Sequence, residues 1–247
     1  MSRSAGEGGR AGGRAEDADG SSLAVVVGGS GGVGAALVAA LRDCPAYDEV
    51  LALGRRGSPA LDLLDEASIA AAAAAVRARG VPTLVFDATG FLHGGGMEPE
   101  KSWRELDPAH LAHAFAINAI GPALLMKHFL PLLPRERRAV FATLSARVGS
   151  IGDNRLGGWY AYRASKAALN QLVRTAAVEL RRGRPQAICV ALHPGTVDTG
   201  LSAPFAKSGL QVQTPAEAAA RLLAVIERLG PGDSGEFFDH RGEPVPW

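Results

Sequence analysis

A tyrosine and a lysine spaced by one helical turn could carry acid–base chemistry in this chain. Tyr162 lies four residues before Lys166, at the start of a segment whose apolar residues recur with the period of a helix. Positions i and i+4 of a helix share one face, so the phenol and the ammonium would project side by side. Because a nearby cation favours the phenolate, we expect it to lower the pKa of the tyrosine from about 10. Such a pair can move a proton to or from an alcohol or carbonyl oxygen.

A glycine-rich turn far upstream predicts a second part of the same site. The apolar run Leu23–Val27 precedes Gly28-Gly29-Ser30-Gly31-Gly32-Val33-Gly34, and a helical pattern follows. A strand, a glycine loop and a helix in this order are the context of dinucleotide binding, because the loop backbone and the helix N-terminus hold phosphates. Three spacings fit, and the residues alone do not choose among them: Gly29, Gly31 and Gly34; Gly28, Gly31 and Gly34; or Gly28, Gly32 and Gly34.

The elements that must position these residues are strands and helices in alternation. Short apolar runs predict the strands, while helical periodicity and capping residues predict the helices between them. The predicted strands are 23–27, 50–53, 83–86, 139–144, 187–192 and an edge strand at 236–238; the predicted helices are 35–41, 65–79, 107–133, 162–182 and 214–229.

This alternation predicts an α/β protein with a Rossmann-type, doubly wound and mostly parallel sheet covered by helices on both faces. Ligands of such sheets bind outside the carboxyl ends of the strands. The glycine loop, Arg55, Asp87, Ser145 and His193 all follow predicted strands. We therefore expect a single domain over residues 22–247 with its site at this edge of the sheet.

Composition narrows the class of partner. The net charge is +1 without a basic cluster, which argues against nucleic acid. No apolar run approaches the ~20 residues of a membrane span. Cys44 and Cys189 lack the spacing of a metal site and favour a reducing compartment, the cytoplasm. Residues 1–21 hold few large apolar side chains, so we expect a disordered extension there.

Taken together, the motifs resemble the short-chain dehydrogenase/reductase family over residues 23 to about 240. The resemblance selects the third glycine spacing. In its details it looks like the C-factor and sniffer-like carbonyl reductase branch, at 115–122, 149–154 and 237–238. The matching motifs, in chain order, are Gly28-x-x-x-Gly32-x-Gly34, Asp87-Ala88-Thr89-Gly90, Asn118, a serine near 145, Tyr162-x-x-x-Lys166 and Pro194-Gly195-x-Val197-x-Thr199.

The resemblance implies an oxidoreductase that moves a hydride between a nicotinamide cofactor and a small carbonyl or alcohol. Tyr162 would be the general acid in carbonyl reduction, and Lys166 would lower its pKa and hydrogen-bond the nicotinamide ribose. Asn118 would hold the water that links Lys166 to a proton relay. A homodimer or homotetramer through the long helices is also implied. The other implied cofactor contacts are Gly28, Ser30, Gly32, Val33, Gly34, Asp62 at the adenine edge, Ala88, Gly90, and Pro194, Gly195, Val197 and Thr199 at the nicotinamide end.

The choice between NAD(H) and NADP(H) has a physical argument of its own. NAD sites place a carboxylate at the end of the second strand, against the ribose 2′-hydroxyl, where it would repel a 2′-phosphate. Here that strand ends in Gly54-Arg55-Arg56, without an acid. Because arginine binds phosphate through two parallel hydrogen bonds, we expect NADP(H) to be favoured, chiefly through Arg55.

One departure from the family pattern concerns the active-site serine. The family places this serine three residues before a glycine; alignment on Gly149 puts Ala146 there and Ser145 one residue earlier. A shift of one residue along a strand turns a side chain to the opposite face. We predict that Ser145 serves as the catalytic serine, with Ser150 as the other candidate.

The missing serine also motivates an alternative function. The chain could be a cofactor-binding signalling or regulatory protein on the same fold, with little turnover, because a fold does not by itself specify an activity. The sequence does not name the substrate. The segments expected to contact it are 92–103, 150–160 and 201–213.

Overall fold

Six strands form one parallel sheet in the computed structural model, which describes residues 22–202 and 212–247. The predicted extension at 1–21 and most of the segment 201–213 lie outside these described residues. The strands of the sheet are β1 (Leu23–Val27), β2 (Glu49–Leu53), β3 (Pro82–Asp87), β4 (Ala139–Leu144), β5 (Ala187–His193) and β8 (Phe237–Asp239), and a separate short pair is formed by β6 (Thr196–Val197) and β7 (Val212–Gln213).

Helices cover both faces of this sheet, as the alternating pattern predicts. The α-helices of the described chain are α1 (Gly32–Arg42), α2 (Glu66–Arg79), α3 (Pro108–Phe115), α4 (Gly121–Phe129), α5 (Tyr160–Gly183) and α6 (Pro215–Arg228). The core on one face joins the strands to α2, α4 and α5, and the core on the other face joins them to α1 and α6. The Rossmann-type, single-domain fold is therefore confirmed.

The direction in which successive strands are added to the sheet reverses between β1 and β3. The spatial order of the strands is β2-β1-β3-β4-β5-β8, so the chain runs outward from β1 to β2 and then crosses to the other side of β1. Every pair in the sheet is parallel. A crevice opens at such a switch point, outside the carboxyl ends of the two strands. Gly28 and Ala88 lie there, and the amide of Ala88 donates to the carbonyl of Val27 at 2.9 Å.

Local caps begin the helices where the sequence predicts them. The Asp65 carboxylate accepts from the Ala67 amide at the start of α2, and the Asp107 carboxylate accepts from the His110 amide at the start of α3. Thr214 forms the complete capping box of α6. These side chains satisfy amides that the first turn of a helix leaves unpaired.

The long helix predicted at 107–133 is not one α-helix. Residues Ala116–Ile120 form a π-helical turn between α3 and α4, and Leu130–Leu132 form a 3₁₀ turn. The composite stretch Pro108–Leu132 has the length and mean hydropathy of a membrane span, although 44% of its most apolar window is buried. Leu125, Met126 and Phe129 pack in the core beside α2 and α5, which accounts for the apolar composition.

Candidate active site

Tyr162 and Lys166 lie on one face of α5, in its first two turns. The ammonium nitrogen of Lys166 is 5.9 Å from the centre of the Tyr162 ring. Lys166 is only 2% exposed, and its Nζ donates to the carbonyl of Leu144 at 2.7 Å. Because Leu144 ends β4, the pair stands at the carboxyl edge of the sheet. The sequence prediction that these two groups project side by side is confirmed.

Burial changes the pKa of both groups, and for the tyrosine it does so against expectation. Burial raises the pKa of Tyr162 to about 12, so the expectation of a lowered pKa is wrong. Burial lowers the pKa of Lys166 to about 8, while the negative charge of Asp87 acts in the opposite direction. The physical reason is that desolvation penalises the charged form of each group. At neutral pH Tyr162 is therefore a protonated phenol, able to donate a proton.

Asp87, at the end of β3, is a charged partner of Lys166 in this site. Its carboxylate is 1% exposed and accepts hydrogen bonds from the hydroxyls of Thr89 and Thr143, at 2.6 and 2.7 Å. Burial raises the pKa of Asp87, and the two threonines and the charge of Lys166 lower it. Its position at the end of β3 was visible in the sequence, but its electrostatic coupling to Lys166 was not.

Asn118 lies in the π-helical turn, fully buried, with its amide bound to protein groups. Its Oδ1 accepts from the Phe91 amide at 2.8 Å, and its Nδ2 donates to the Phe91 carbonyl at 2.8 Å and to Ser165 Oγ at 3.1 Å. Gly90 lies against both Asn118 and Lys166, since a Cβ at Gly90 would be 3.7 Å from Asn118 Oδ1 and from Lys166 Nζ. The structure thus brings three of the predicted residues together.

The candidate serines have other partners. Ser145 is 3% exposed, and its hydroxyl donates to Asn170 Oδ1 at 2.6 Å. Ser150 is 1% exposed, and its hydroxyl accepts from the Asp153 amide at 3.1 Å. Among the described hydrogen bonds none links either serine to Tyr162. Ala146, at the position that the family pattern reserves for serine, continues the chain in an extended conformation. The catalytic role of Ser145 stays a prediction.

Close packing distinguishes the glycines of the turn after β1. Gly28 has φ +78°, and a Cβ at Gly34 would lie 2.2 Å from the Gly28 carbonyl oxygen. A Cβ at Gly32 would lie 2.6 Å from Thr199 Cγ2. Gly31, in contrast, has φ −79° and would place a Cβ 3.4 Å from its nearest neighbour, an ordinary distance. These contacts favour the spacing Gly28, Gly32 and Gly34, which leaves Gly31 out.

An arginine-lined cavity adjoins the same turn. The cavity has a volume of about 450 Å³ and lies between the glycine loop and the segment that follows β2. It is lined by Ser30, Arg55 and Arg56. No acidic side chain is among these lining residues. The side chain of Val33 packs in the core, and the residue is only 9% exposed. A phosphate at the start of α1 would therefore meet backbone amides and not this side chain. Glycine backbone, helix N-terminus and two guanidinium groups together fit the phosphates of a dinucleotide.

The segment after β5 lies across from the glycine loop. Gly195 has φ +80°, and the carbonyl of Pro194 accepts from Gln213 Nε2 at 3.1 Å. Val197 is buried in β6, and Thr199 touches Gly32 as described above. The segment is therefore held on one side by Gln213 and meets the glycine loop on the other.

The remaining predicted contacts involve Asp62 and the segment 92–103, which contains His93. Asp62 follows a bridge between Gly54 and Ala60, and its Oδ1 accepts from the Leu64 amide at 3.0 Å. His93, in the loop after β3, hydrogen-bonds the carbonyl of Gly200 at 3.1 Å. In the described part of the chain no group of three metal-ligating side chains comes together. The adenine contact of Asp62 stays a prediction.

The chain matches known proteins over most of its length. The family model described as enoyl-(acyl carrier protein) reductase matches residues 33–230. C-signal of Myxococcus xanthus is 41% identical over 145 residues, which cover 58% of this chain and 82% of that protein. The 1-hydroxy-2-glutathionyl-2-methyl-3-butene dehydrogenase of Rhodococcus sp. (strain AD45) is 32% identical over 199 residues, covering 81% and 84% respectively.

Solved structures share the fold. The NADPH-bound carbonyl reductase from chicken fatty liver has a TM-score of 0.81 and 27% identity, covering 92% of this chain and 94% of its own. The carbonyl reductase Sniffer of D. melanogaster has a TM-score of 0.79 and 24% identity, covering 92% and 99%, and supports the fold alone. The C-factor resemblance is confirmed by C-signal, and the sniffer resemblance is confirmed at the level of the fold. The chain belongs to the short-chain dehydrogenase/reductase family of oxidoreductases.

Proposed function

We propose that this protein reduces a small carbonyl compound, or oxidises the matching alcohol, with NADP(H) as cofactor. The observation that carries the proposal is the buried pair of Tyr162 and Lys166 at the carboxyl edge of the sheet, with the Lys166 ammonium 5.9 Å from the phenol ring. When bound, the reduced nicotinamide supplies a hydride to the carbonyl carbon. The chain itself must then supply a proton to the carbonyl oxygen.

Tyr162 is the proposed proton donor. Its phenol is protonated at neutral pH because burial raises its pKa to about 12, and it gives its proton to the oxygen as the alcohol forms. The Lys166 cation stabilises the phenolate that remains, and a buried cation does so more strongly than one in water. In the reverse direction the phenolate would accept the alcohol proton.

Two further residues have supporting roles in this proposal. The side-chain amide of Asn118 holds Phe91, so the backbone carbonyl of Asn118 is its remaining group for the predicted water. That water would restore the proton of the relay through Lys166. Ser145 would donate to a substrate oxygen only after its hydroxyl leaves Asn170.

The preference for NADP(H) rests on charge. Arg55 and Arg56 line the cavity beside the glycine loop without an acidic neighbour in that lining. Guanidinium groups suit a 2′-phosphate, while a carboxylate would be needed to hold a free 2′-hydroxyl. The carbonyl reductase of chicken fatty liver, which has NADPH bound, supports this choice by analogy.

The test is NADPH consumption with a panel of aldehydes, ketones and quinones, repeated with NADH. Tyr162→Phe removes the proton donor and should abolish turnover while NADPH still binds. Tyr47→Phe, in the turn before β2 and outside the segments expected to contact the substrate, is the matched control and should keep its activity. Turnover that survives in Tyr162→Phe would overturn the proposal.

The alternative is a cofactor-binding regulatory protein with little turnover. The bond that keeps the Ser145 hydroxyl on Asn170, with Ala146 at the usual serine position, is the observation that favours it. The relative C-signal has a name that refers to signalling, and the similarity to it also favours a regulatory role. Tight NADPH binding without turnover on any compound, together with a biological effect that survives Tyr162→Phe, would support this second function.

Oligomeric state and compartment stay predictions. Ile120 is 53% exposed and Val178 is 52% exposed, and each lies in one of the two long helical stretches expected to form a dimer or tetramer. Mass photometry of the purified chain would determine the number of subunits. The cytoplasmic location inferred from two unpaired cysteines requires a localisation experiment.

A further inference from the structure

The chain enters the catalytic helix α5 through an unusual backbone. Gly157 and Gly158 have φ angles of +63° and +68°, and Trp159 follows with φ +54°. Glycine adopts this left-handed region at no steric cost, but a bulky aromatic residue adopts it only when its surroundings hold it there. Since Tyr162 comes three residues later, whatever holds this turn also determines where the catalytic phenol begins.

Arg163 holds the turn from the helix side. Its Nε donates to the Gly158 carbonyl at 2.9 Å and its Nη2 to the Gly157 carbonyl at 3.2 Å. Its Nη1 donates to the Val148 carbonyl at 3.3 Å, in the segment after β4. One guanidinium thus ties two left-handed residues to a neighbouring segment of the site.

Glu100 holds the turn from the opposite side. It is 2% exposed, and its two carboxylate oxygens lie 3.3 and 3.2 Å from the Ala161 amide, which donates to them. Its own carbonyl accepts from the Trp159 amide at 2.5 Å. A carboxylate at a helix N-terminus satisfies an amide that has no partner in the helix and is attracted by the helix dipole. Glu100 therefore fixes the residues on both sides of Tyr160.

His110 places the Glu100 carboxylate. Its Nδ1 lies 3.4 Å from Glu100 Oε1, and the imidazole is 6% exposed. The ring of Phe91 meets the His110 ring edge-on, with centroids 6.1 Å apart. The backbone of Phe91 is held in turn by Asn118, as described for the site.

These contacts form a closed circuit that begins and ends in the first turn of α5. Asn118 donates to Ser165 Oγ, and the Ser165 hydroxyl donates to the carbonyl of Tyr162 at 3.0 Å. The circuit thus runs from the amide of Ala161 through Glu100, His110, Phe91, Asn118 and Ser165 to the carbonyl of Tyr162. It joins the loop after β3, α3 and the π-helical turn to the first turn of α5.

We propose that Glu100 is a positioning residue for Tyr162, acting through its cap on Ala161 and supported by His110. The proposal rests on the proposed function, since it assigns Tyr162 the role of proton donor. Loss of the cap frees the first turn of α5 and displaces the phenol from the reacting oxygen. Displacements of about 1 Å at a catalytic group can cost on the order of 100-fold in rate. The glycine loop after β1 takes no part in this circuit, so its binding of the cofactor should be unchanged.

The experiment compares Glu100→Ala, Glu100→Gln and Glu136→Ala. Glutamine keeps an acceptor oxygen for the Ala161 amide and is the rescue variant. Glu136 is exposed in the segment before β4, outside the segments expected to contact the substrate, and is the matched control. We measure kcat and KM for a carbonyl substrate, the Kd for NADPH, and hydrogen exchange over 159–163. All variants are assayed at least 20 °C below their own Tm, a margin of order several times the shift expected from one residue, so that unfolding does not lower kcat.

The expected result is a kcat at least about 10-fold lower in Glu100→Ala, with an unchanged Kd for NADPH and faster exchange at 159–163. Glu100→Gln should recover most of the lost kcat, and Glu136→Ala should match the wild type. Faster exchange in Glu100→Ala with an unchanged kcat would make Glu100 a structural cap only and overturn the proposal, as would a loss of kcat that Glu100→Gln does not relieve.

Failure of the proposed function has a different signature. In that case the wild type itself turns over no carbonyl compound, while NADPH binding persists. Crystal structures of the wild type and of Glu100→Ala then report the position of the phenol directly. A Tyr162 phenol in the same place in both would overturn the positioning role without any assay of turnover.

Discussion

The hydroxyl of Ser145 donates to Asn170 Oδ1 at 2.6 Å, in a buried contact between the end of β4 and the catalytic helix. Asn170 lies two helical turns after Tyr162, so the contact belongs to the attachment of α5 on the sheet. The next residue, Ala146, is the one that the family pattern places towards the substrate. The hydroxyl nearest in sequence to that position is therefore the one that Asn170 holds, one residue earlier, and a shift of one residue turns a side chain to the opposite face.

Ser145→Ala should lower stability more than activity. The substitution leaves Asn170 Oδ1 buried without its donor, which costs about 1–3 kcal/mol of the free energy of unfolding. Urea unfolding measures this cost, and kcat at saturating NADPH should stay close to that of the wild type. If kcat instead fell about 100-fold with stability unchanged, Ser145 would be the catalytic serine after all.

Ala146→Ser should raise the rate of carbonyl reduction. It restores a hydroxyl at the position where the family has one, and a second hydrogen-bond donor to the carbonyl oxygen stabilises developing negative charge. Ala146 is 8% exposed, and serine adds only one oxygen atom. The measurement is kcat for several ketones in Ala146→Ser and in the double variant with Ser145→Ala. A lower kcat in both would mean that another group already supplies this hydrogen bond.

The main features of the fold were predictable because they depend on local patterns. Apolar runs and the capping box at Thr214 predict strands and helices to within a few residues. The π-helical turn that carries Asn118 could not be predicted, because one extra residue in a helical turn hardly changes the apolar pattern of the sequence. The pairing of Glu100 with Ala161 joins residues 61 apart in the sequence, and no periodicity reports such a contact.

Electrostatics at the site were predicted with the wrong sign for a related reason. A helix with tyrosine and lysine at i and i+4 predicts that the cation lowers the phenol pKa. Burial raises that pKa to about 12 instead, because both groups leave water on folding, and burial is a property of the whole fold rather than of one helix. The coupling of Lys166 to Asp87 likewise exists only once β3 and α5 are assembled.

Carbonyl reduction should lose rate as the pH rises through about 8. Tyr162 stays protonated there, since its pKa is raised to about 12, but Lys166, with a pKa lowered to about 8, loses its positive charge above that pH. A neutral amine no longer stabilises the phenolate that forms when the proton is donated. A pH profile of kcat between 6 and 10 would show this alkaline limb, and a profile that is flat through this range would contradict the assignment.

Asp87→Asn should move that alkaline limb to lower pH. The Asp87 carboxylate raises the Lys166 pKa, so removing its charge lets the ammonium lose its proton at lower pH. Asp239→Asn is the matched control, because Asp239 is also buried at the carboxyl end of a strand but binds backbone amides of Arg241 and Glu243. Equal shifts in the two variants would mean that buried charge in general, and not Asp87, sets the pKa of Lys166.

Gly34→Ala should damage the glycine loop, whereas Gly31→Ala should not. A Cβ at position 34 would stand 2.2 Å from the Gly28 carbonyl oxygen, a backbone atom, while a Cβ at position 31 has 3.4 Å of room. Overpacking of this kind costs about 1–3 kcal/mol and displaces the loop backbone. Thermal unfolding and NADPH titration of both variants measure the two effects. Loss of binding in Gly31→Ala alone would favour one of the glycine spacings that contain Gly31.

Charge reversal at Arg55 should weaken NADPH binding far more than NADH binding. The two cofactors differ only in the 2′-phosphate, and losing a charge-assisted hydrogen bond to it costs about 1.5–3 kcal/mol, or roughly 10- to 100-fold in Kd. Arg55→Glu adds repulsion to that loss. Arg56→Glu, at the adjacent position in the lining of the same cavity, shows whether one guanidinium or both hold the phosphate. Fluorescence titration of the wild type and both variants with each cofactor gives six dissociation constants. Equal losses for NADPH and NADH in Arg55→Glu would remove the physical basis for an NADP(H) preference.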